Sequence, residues 1–462
     1  MKSRLLSVVL LVSVAVSAMA NAPKYIFYFI GDGMGFGQVN TAQTYLRDVH
    51  SSDSVLMMLT FPVAGTVLTY SASNPITDST AAGTALATGV KTRNGIIGMT
   101  PDTVAVTSIA EELKAKGYGV GVITTVAPDD ATPGAFYANV PGRKYHYEIG
   151  KQAAESGFEF MAGAELRGLT KKGQPTDLMD IMKANGVEVV YGVDKLAEVE
   201  SRRVILLGNN RPHDNGVGYT IDSVAGALTL QEMTRECINH LMKYSPDHFF
   251  MMVEGGEIDH AGHANDAATI VRDVLSFDES IRIAVDFYRE HPDETLILVT
   301  ADHETGGLAI GNTPHGYTAD LQYLDYQRVS KDRFSDAIKA LLKSNQEYKW
   351  ADMRAYLEDK FGFWRAVPVT EDETARLMEK FDRTFRLRNS EDQKTMYNSF
   401  NEFAVEVFRV MDTHTGIGWT TVHHTANPVP VFAIGCGAEM FSGVNNNIDL
   451  PNKLRKLTGI TQ

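Results

Sequence analysis

Tyr25-Ile26-Phe27-Tyr28-Phe29-Ile30-Gly31-Asp32-Gly33 opens on an unbroken apolar and aromatic run and ends in a carboxylate between two glycines. The run reads as a strand of a mainly parallel sheet. The pattern recurs. His248–Val253 runs into Glu254, then Asp259-His260 and His263, and Thr295–Thr300 runs into Ala301-Asp302-His303. In an open α/β sheet, ligands bind beyond the carboxyl ends of the strands. Carboxylates and imidazoles far apart in the chain should therefore converge on one rim, and such a set reads as a catalytic metal site.

From Tyr25 to Gly311, apolar runs alternate with amphipathic stretches: Gly119–Thr125 after Ser108–Lys116, Val204–Gly208 before Ser223–Lys243, and Thr295–Thr300 after Asp266–Tyr288. The alternation predicts an α/β fold, doubly wound, with a mainly parallel central sheet flanked by helices on both faces. In the last of these helices Val271, Val274, Leu275, Ile281 and Val285 recur at helical spacing, which marks a packing face. Beyond His303 the character changes. Lys331–Leu342, Trp350–Phe361, Thr370–Phe385 and Glu391–Val410 read as amphipathic helices, two of them opened by capping boxes, Thr370 with Glu373 and Ser390 with Gln393. Residues 311–415 are thus expected to form a mainly helical insertion near the C-terminal third, covering the rim or forming an interface. Its aromatics Trp350, Tyr356, Phe361, Trp364 and Phe381 would make a small core of its own. The chain returns to the sheet at Val429–Ile434, so residues 21–462 are expected to be one α/β domain with this insertion.

Residues 1–20 stand apart. Lys2 and Arg4 precede the apolar run Leu5–Val16, and Ala18-Met19-Ala20 supplies small residues for cleavage, the pattern of a secretory signal peptide cut after Ala20. The run is shorter than the roughly 20 residues that span a bilayer, and no later stretch is long and apolar enough to do so. The expectation is a secreted or periplasmic protein with no membrane span after cleavage. Export permits disulfides, but Cys237 and Cys436 are the only cysteines, and spacing leaves their pairing open. The net charge of -14 grows more negative once Lys2 and Arg4 leave, because residues 1–20 hold no acidic side chain. That balance argues against binding nucleic-acid polymers, which needs clustered Lys and Arg. An anionic substrate would instead need positive charge from bound metals and a few placed cations.

Ile76-Thr77-Asp78-Ser79-Thr80-Ala81-Ala82-Gly83-Thr84-Ala85 follows the strand-like Gly65–Tyr70, and its small residues predict a tightly packed helix beginning near Ser79. A hydroxyl there suits a phosphoryl nucleophile, because exposed N–H groups and the helix dipole favour anions. The plainer reading is that Asp78 or Ser79 only caps the helix. A serine is also a weak nucleophile until a metal or base activates it. Asp259 and His263, four residues apart, share a helical face, while Asp302-His303 follows a strand directly and His423-His424 adds late imidazoles. Carboxylate and imidazole together suit zinc. Asp130-Ala131-Thr132-Pro133 follows Gly119–Thr125, and Arg143, whose fork matches phosphate oxygens, lies shortly beyond.

Taken in order, Gly31-Asp32-Gly33-Met34-Gly35, Thr77-Asp78-Ser79, Asp130-Ala131-Thr132-Pro133, Glu254…Asp259…His263, Asp302-His303 and His424-Thr425 resemble the alkaline phosphatases over nearly the whole chain after the leader. The resemblance implies hydrolysis of small phosphate monoesters through a phosphoserine on Ser79, with two zinc ions (Zn2+) and one magnesium (Mg2+). It implies that Asp259, His263 and His424 hold the first zinc, at the leaving-group oxygen and later the attacking water. Asp32, Asp302 and His303 would hold the second, beside the Ser79 alkoxide. Asp32, Thr132 and Glu254 would hold magnesium, and Arg143 would clamp the phosphoryl group. Members of the family carry either an Asp–Lys pair or two histidines at the positions of Asp130 and His260. This chain combines Asp130 with His260, which leaves the third metal open, and His260 is expected to reach phosphate through water. Thr425 favours His424 over His423 as the ligand. The resemblance also allows a homodimer. Two alternatives stand beside it: a phosphodiesterase of the same superfamily, and an exported phosphate- or metal-binding protein without turnover. A sulfatase is disfavoured because Ser79 is followed by Thr80-Ala81-Ala82 rather than by x-Pro-x-Arg.

Overall fold

The structure, a computed structural model, describes residues 22–208, 216–344 and 347–461. The expected leader lies outside these residues. Strands β1 (Tyr25–Gly31), β2 (Val63–Leu68), β3 (Gly119–Thr124), β4 (Phe160–Gly163), β5 (Glu188–Tyr191), β6 (Val204–Leu207), β7 (Phe249–Glu254), β8 (Thr295–Ala301), β9 (Val429–Gly435) and β10 (Gly443–Asn446) form one sheet. Their spatial order is β10-β2-β9-β8-β1-β7-β3-β4-β6-β5. Among the described strands of this sheet, β9 alone runs against its neighbours. The helices that shape the site are α1 (Phe36–Tyr45), α2 (Ser79–Thr88), α3 (Leu230–Tyr244), α4 (Glu257–Ala264) and α5 (Ala267–Glu290).

Every residue of β1 is buried, and the two-residue period of a strand sends alternate side chains to opposite faces. Phe27 and Phe29 meet Phe287 and Phe277 of α5, with ring centroids 5.5 and 5.7 Å apart. Tyr28 points the other way, with its ring 6.1 Å from Phe136 and its hydroxyl donating to Leu86 of α2 at 3.5 Å. Helices therefore cover both faces, and the doubly wound α/β fold is as expected.

Strand register explains why distant ligands meet. Gly31 pairs with Ala301, Ile30 with Glu254, and Thr124 with Glu254. Asp32, Asp302 and Glu254 therefore leave adjacent strands at one level. The reversed direction of β9 is equally important. Val431 pairs with Thr300 and Gly65, so β9 enters the sheet at the rim where its neighbours leave. His424 precedes β9 and so arrives at that rim, where it pairs with Thr305 in a short ladder of Glu304–Thr305 with His424–Thr425. A strand running with its neighbours would have carried His424 to the opposite edge.

Between β8 and β9, helices α6 (Lys331–Lys343), α7 (Trp350–Phe361), α8 (Glu371–Phe381) and α9 (Glu402–Thr415) share a second core. Phe334, Leu357, Phe361, Phe381 and Phe403 are buried in it, with Trp350, Tyr356 and Trp364 packed at its margin. Two expected helices are corrected. The one predicted from Ser223 begins at Leu230, because Thr229 and Glu232 form a capping box that fixes the start. The first half of Glu391–Val410 is not helical: Asp392–Lys394 and Ser399–Asn401 form a hairpin, and Asn401, accepting from the Ala404 N–H at 2.9 Å, caps α9. Gln393 pairs with Phe400 across that hairpin, so Ser390 and Gln393 make no capping box. Cys237, buried on α3, and Cys436, just past β9, are not joined by a disulfide. Among the described residues no helix is long and apolar enough to cross a membrane.

Candidate metal and phosphate site

Two clusters stand on the rim. Asp259 and His263 project from α4 toward His424, and the ligand atoms of these three buried residues lie within 4.8 Å of one another. Asp32, Asp302 and His303 form the second set under the same limit. The His303 and His424 rings stack at 3.6 Å, which places the clusters side by side. Gly33 makes the approach possible. At φ +70° it occupies left-handed backbone, and a Cβ there would meet Asp259 Cα at 3.0 Å and Thr305 Oγ1 at 2.8 Å. Its N–H donates to Asp302 Oδ1 at 3.1 Å.

The donor sets fit divalent cations. The Nδ1 atoms of His263 and His424 lie 2.7 and 2.9 Å from the carbonyl oxygens of Val422 and Thr77, which can only accept, so each ring carries its proton on Nδ1. The Nε2 atoms of the two rings face each other at 3.0 Å. Burial holds His263 below the usual imidazole range, and burial followed by the His424 ring holds His303 well below it. With protons on Nδ1, the two facing Nε2 atoms make an arrangement that a cation between them would satisfy. In the second set, Asp302 Oδ2 and Asp32 Oδ1 lie 3.2 and 3.4 Å from His303 Nε2, and both oxygens are buried without a hydrogen bond. Two unit charges within the 4.8 Å that bounds this set would repel by on the order of 3 kcal/mol even at an effective dielectric of 20. Burial first, and neighbouring carboxylates second, push Asp32 and Asp302 well above the usual carboxyl range. Burial likewise lifts Glu254 to about 7, and its Oε1 has no hydrogen-bond partner. Thr132 Oγ1 donates to Asp32 Oδ2 at 3.5 Å, which brings Thr132 to the same corner.

Ser79 is the first residue of α2, and Asp78 does the capping. The Asp78 carboxylate accepts from the N–H groups of Ala81 at 2.9 Å and Gly95 at 2.8 Å, and from Thr80 Oγ1 at 2.7 Å. That leaves the Ser79 hydroxyl to face His303 Nε2 at 3.2 Å. Arg143 donates through Nη2 to Asp130 Oδ1 at 3.1 Å, while its Nη1 is buried with no hydrogen bond of good geometry. Burial alone would lower the Arg143 guanidinium, but the Tyr397 phenol and Asp130 outweigh it and keep the charge. Burial would also raise Asp130, yet Arg143 and then Arg167 hold it well below the usual carboxylate range. His260 lies 3.3 Å through Nδ1 from Glu257 and packs its ring 3.9 Å from that of Tyr397.

Four participants escaped the sequence reading. Arg167 donates to Asp130 Oδ2 at 3.0 Å, so two guanidiniums share one carboxylate. Thr124 Oγ1 donates to Glu254, and Thr305 Oγ1 donates to Asp259. Tyr397 donates to Asp259 Oδ2 at 3.0 Å from the hairpin between α8 and α9. Thr305, two residues past His303, and Thr124, at the end of β3, could have been inferred from the strand-end rule. Arg167 and Tyr397 carry no local signal.

The alkaline phosphatase family model matches residues 23–164 and 141–460. Alkaline phosphatase 4 of Bacillus subtilis (strain 168) is 27% identical over 445 residues, covering 94% of this chain and 88% of that protein. Among solved structures, the cold-active alkaline phosphatase from the psychrophile Shewanella sp. superposes with a TM-score of 0.79 at 26% identity, over 95% of this chain and 100% of that one. The Thermus thermophilus alkaline phosphatase gives 0.78 at 26% identity, over 96% and 93%.

Proposed function

The chain belongs to the alkaline phosphatase family, and we propose that it hydrolyses small phosphate monoesters through a phosphoserine on Ser79, served by two zinc ions and one magnesium. One observation carries this reading: the Ser79 hydroxyl lies 3.2 Å from His303 at the start of a helix, beside two carboxylate–imidazole clusters. Asp259, His263 and His424 would hold the first zinc, Asp32, Asp302 and His303 the second, and Asp32, Thr132 and Glu254 the magnesium. When bound, the cations would supply the charge that eases deprotonation of a hydroxyl and neutralises the entering and departing oxygens of an in-line displacement.

The protein groups do the rest. Arg143, kept charged and aimed by Asp130, would bind two phosphoryl oxygens at once. Arg167 would hold Asp130 in place for that task. Ser79 Oγ would attack phosphorus while the ester oxygen leaves on the far side, and water would then cleave the phosphoserine from the vacated side. The two inversions restore configuration at phosphorus. His260, tied to Glu257, would reach the phosphate through water. We assign residues 311–415 to a mainly helical insertion within one α/β domain, and residues 1–20 to a leader for a secreted or periplasmic enzyme.

A diesterase would use similar cations, so the substrate class needs a direct test. A diester presents two non-bridging oxygens and one negative charge where a monoester dianion presents three and two, so at least one charge-assisted hydrogen bond, worth about 1.5–3 kcal/mol, is lost from the site as a whole. The kcat/KM for p-nitrophenyl phosphate should therefore exceed that for bis(p-nitrophenyl) phosphate by at least about tenfold. A higher value for the diester would overturn the monoesterase reading.

A further inference from the structure

The hairpin that replaces an expected helix sends one side chain into the site. Tyr397 sits in its turn, which is held on both sides. Thr395 N–H donates to the Asn398 carbonyl at 2.9 Å, Asn398 Nδ2 donates to Asp332 on α6, and Lys339 Nζ, also on α6, donates to Asn398 Oδ1 at 3.2 Å. The phenol is therefore presented by an anchored turn. It donates to Asp259 Oδ2 at 3.0 Å, its ring lies 3.9 Å from His260 and 5.2 Å from His263, and it lies close enough to Arg143 to help keep that guanidinium charged.

We propose that Tyr397 is a substrate-contacting residue: its hydroxyl donates a hydrogen bond to a non-bridging oxygen of the phosphoryl group that Arg143 clamps. This rests on the phosphatase reading given above. A phosphoryl group within reach of both Ser79 and Arg143 must lie against whatever spans Arg143 and Asp259, and the Tyr397 phenol spans them. Asp259 is also assigned to a cation, and a carboxylate that gives its lone pairs to a metal is a weaker acceptor. The phenol proton of this half-buried residue is then released for another acceptor. A phosphoryl oxygen clamped by Arg143 is placed to take it. His260 braces the ring from the side. The residues between β8 and β9 would thus complete the phosphate pocket as well as cover it.

The test uses the full metal-loaded protein and the variants Y397F and Y397L. Inorganic phosphate affinity by calorimetry, kcat/KM for p-nitrophenyl phosphate and bound metal per chain are measured together. Tyr397→Phe keeps the ring and removes only the hydroxyl, so it should keep the wild-type metal content and weaken phosphate about tenfold, with a parallel fall in kcat/KM. Tyr397→Leu should lose at least as much. Wild-type phosphate affinity in Y397F would overturn the proposal. So would a loss accompanied by missing metal, which would make Tyr397 a positioning residue for Asp259. A wild-type protein that neither binds phosphate nor turns over the monoester would sink the phosphatase reading itself, and the inference with it.

Discussion

Ser79→Ala is expected to abolish the phosphoenzyme and to lower kcat/KM for a phosphate monoester by at least about a thousandfold, because nothing nearby can replace the lost nucleophile. Thr80 is the nearest alternative hydroxyl, and its Oγ1 is already committed to both oxygens of Asp78 at 2.7 Å. The fold should be undisturbed. Asp78, not Ser79, caps α2, and alanine is the best helix former for the first turn. Acid quenching after incubation with labelled phosphate reads the intermediate directly. A labelled serine adduct in the wild type and none in the variant supports the assignment. Label persisting in S79A, or full turnover without it, would point to Thr80 or to direct attack by water.

His424→Ala should show the second large effect, and His423→Ala should show almost none. His424 joins everything at the rim: its Nε2 faces His263 at 3.0 Å and Asp259 Oδ1 at 3.5 Å, its ring stacks on His303 at 3.6 Å, and its Nδ1 donates to the Thr77 carbonyl two residues before Ser79. Groups that merely orient a metal ligand are worth about 10–100-fold in affinity or activity, so loss of a ligand should exceed about a hundredfold and remove about one cation per chain. His423 is exposed, with its ring 6.4 Å from His263, and only its backbone is used, accepting from the Gly306 N–H at 2.9 Å. Elemental analysis of both variants checks the contrast. Equal metal loss in the two would mean that the pair of imidazoles is shared.

What the sequence made legible follows from one regularity. A parallel sheet forces strand ends to one edge, so Asp32, Glu254 and Asp302 could be gathered on paper from the runs that precede them. Asp259 and His263 added a helical spacing that needs no tertiary knowledge. His424 was harder: it precedes its strand, and it reaches the rim only because β9 runs backwards, a direction that hydrophobic patterning does not encode. The missed residues share a different cause. Arg167 meets Asp130 from a short 3-10 turn after β4, and Tyr397 crosses from the second core to Asp259, a separation of 138 positions. Neither contact has a periodic signature. Tyr397 was hidden further by Ser390 and Gln393, which match a capping box in spacing alone, while the working cap is Asn401. Local propensity lost there to the pairing of Gln393 with Phe400.

Every role proposed at this rim depends on buried carboxylates and imidazoles holding divalent cations that would make Ser79 a nucleophile. Metal analysis of the purified protein, with monoester turnover followed through chelation and add-back, tests it most directly. About two zinc ions and one magnesium per chain, activity lost with the metals and restored by returning them, is the predicted result. Undiminished turnover by protein stripped of divalent ions would contradict it.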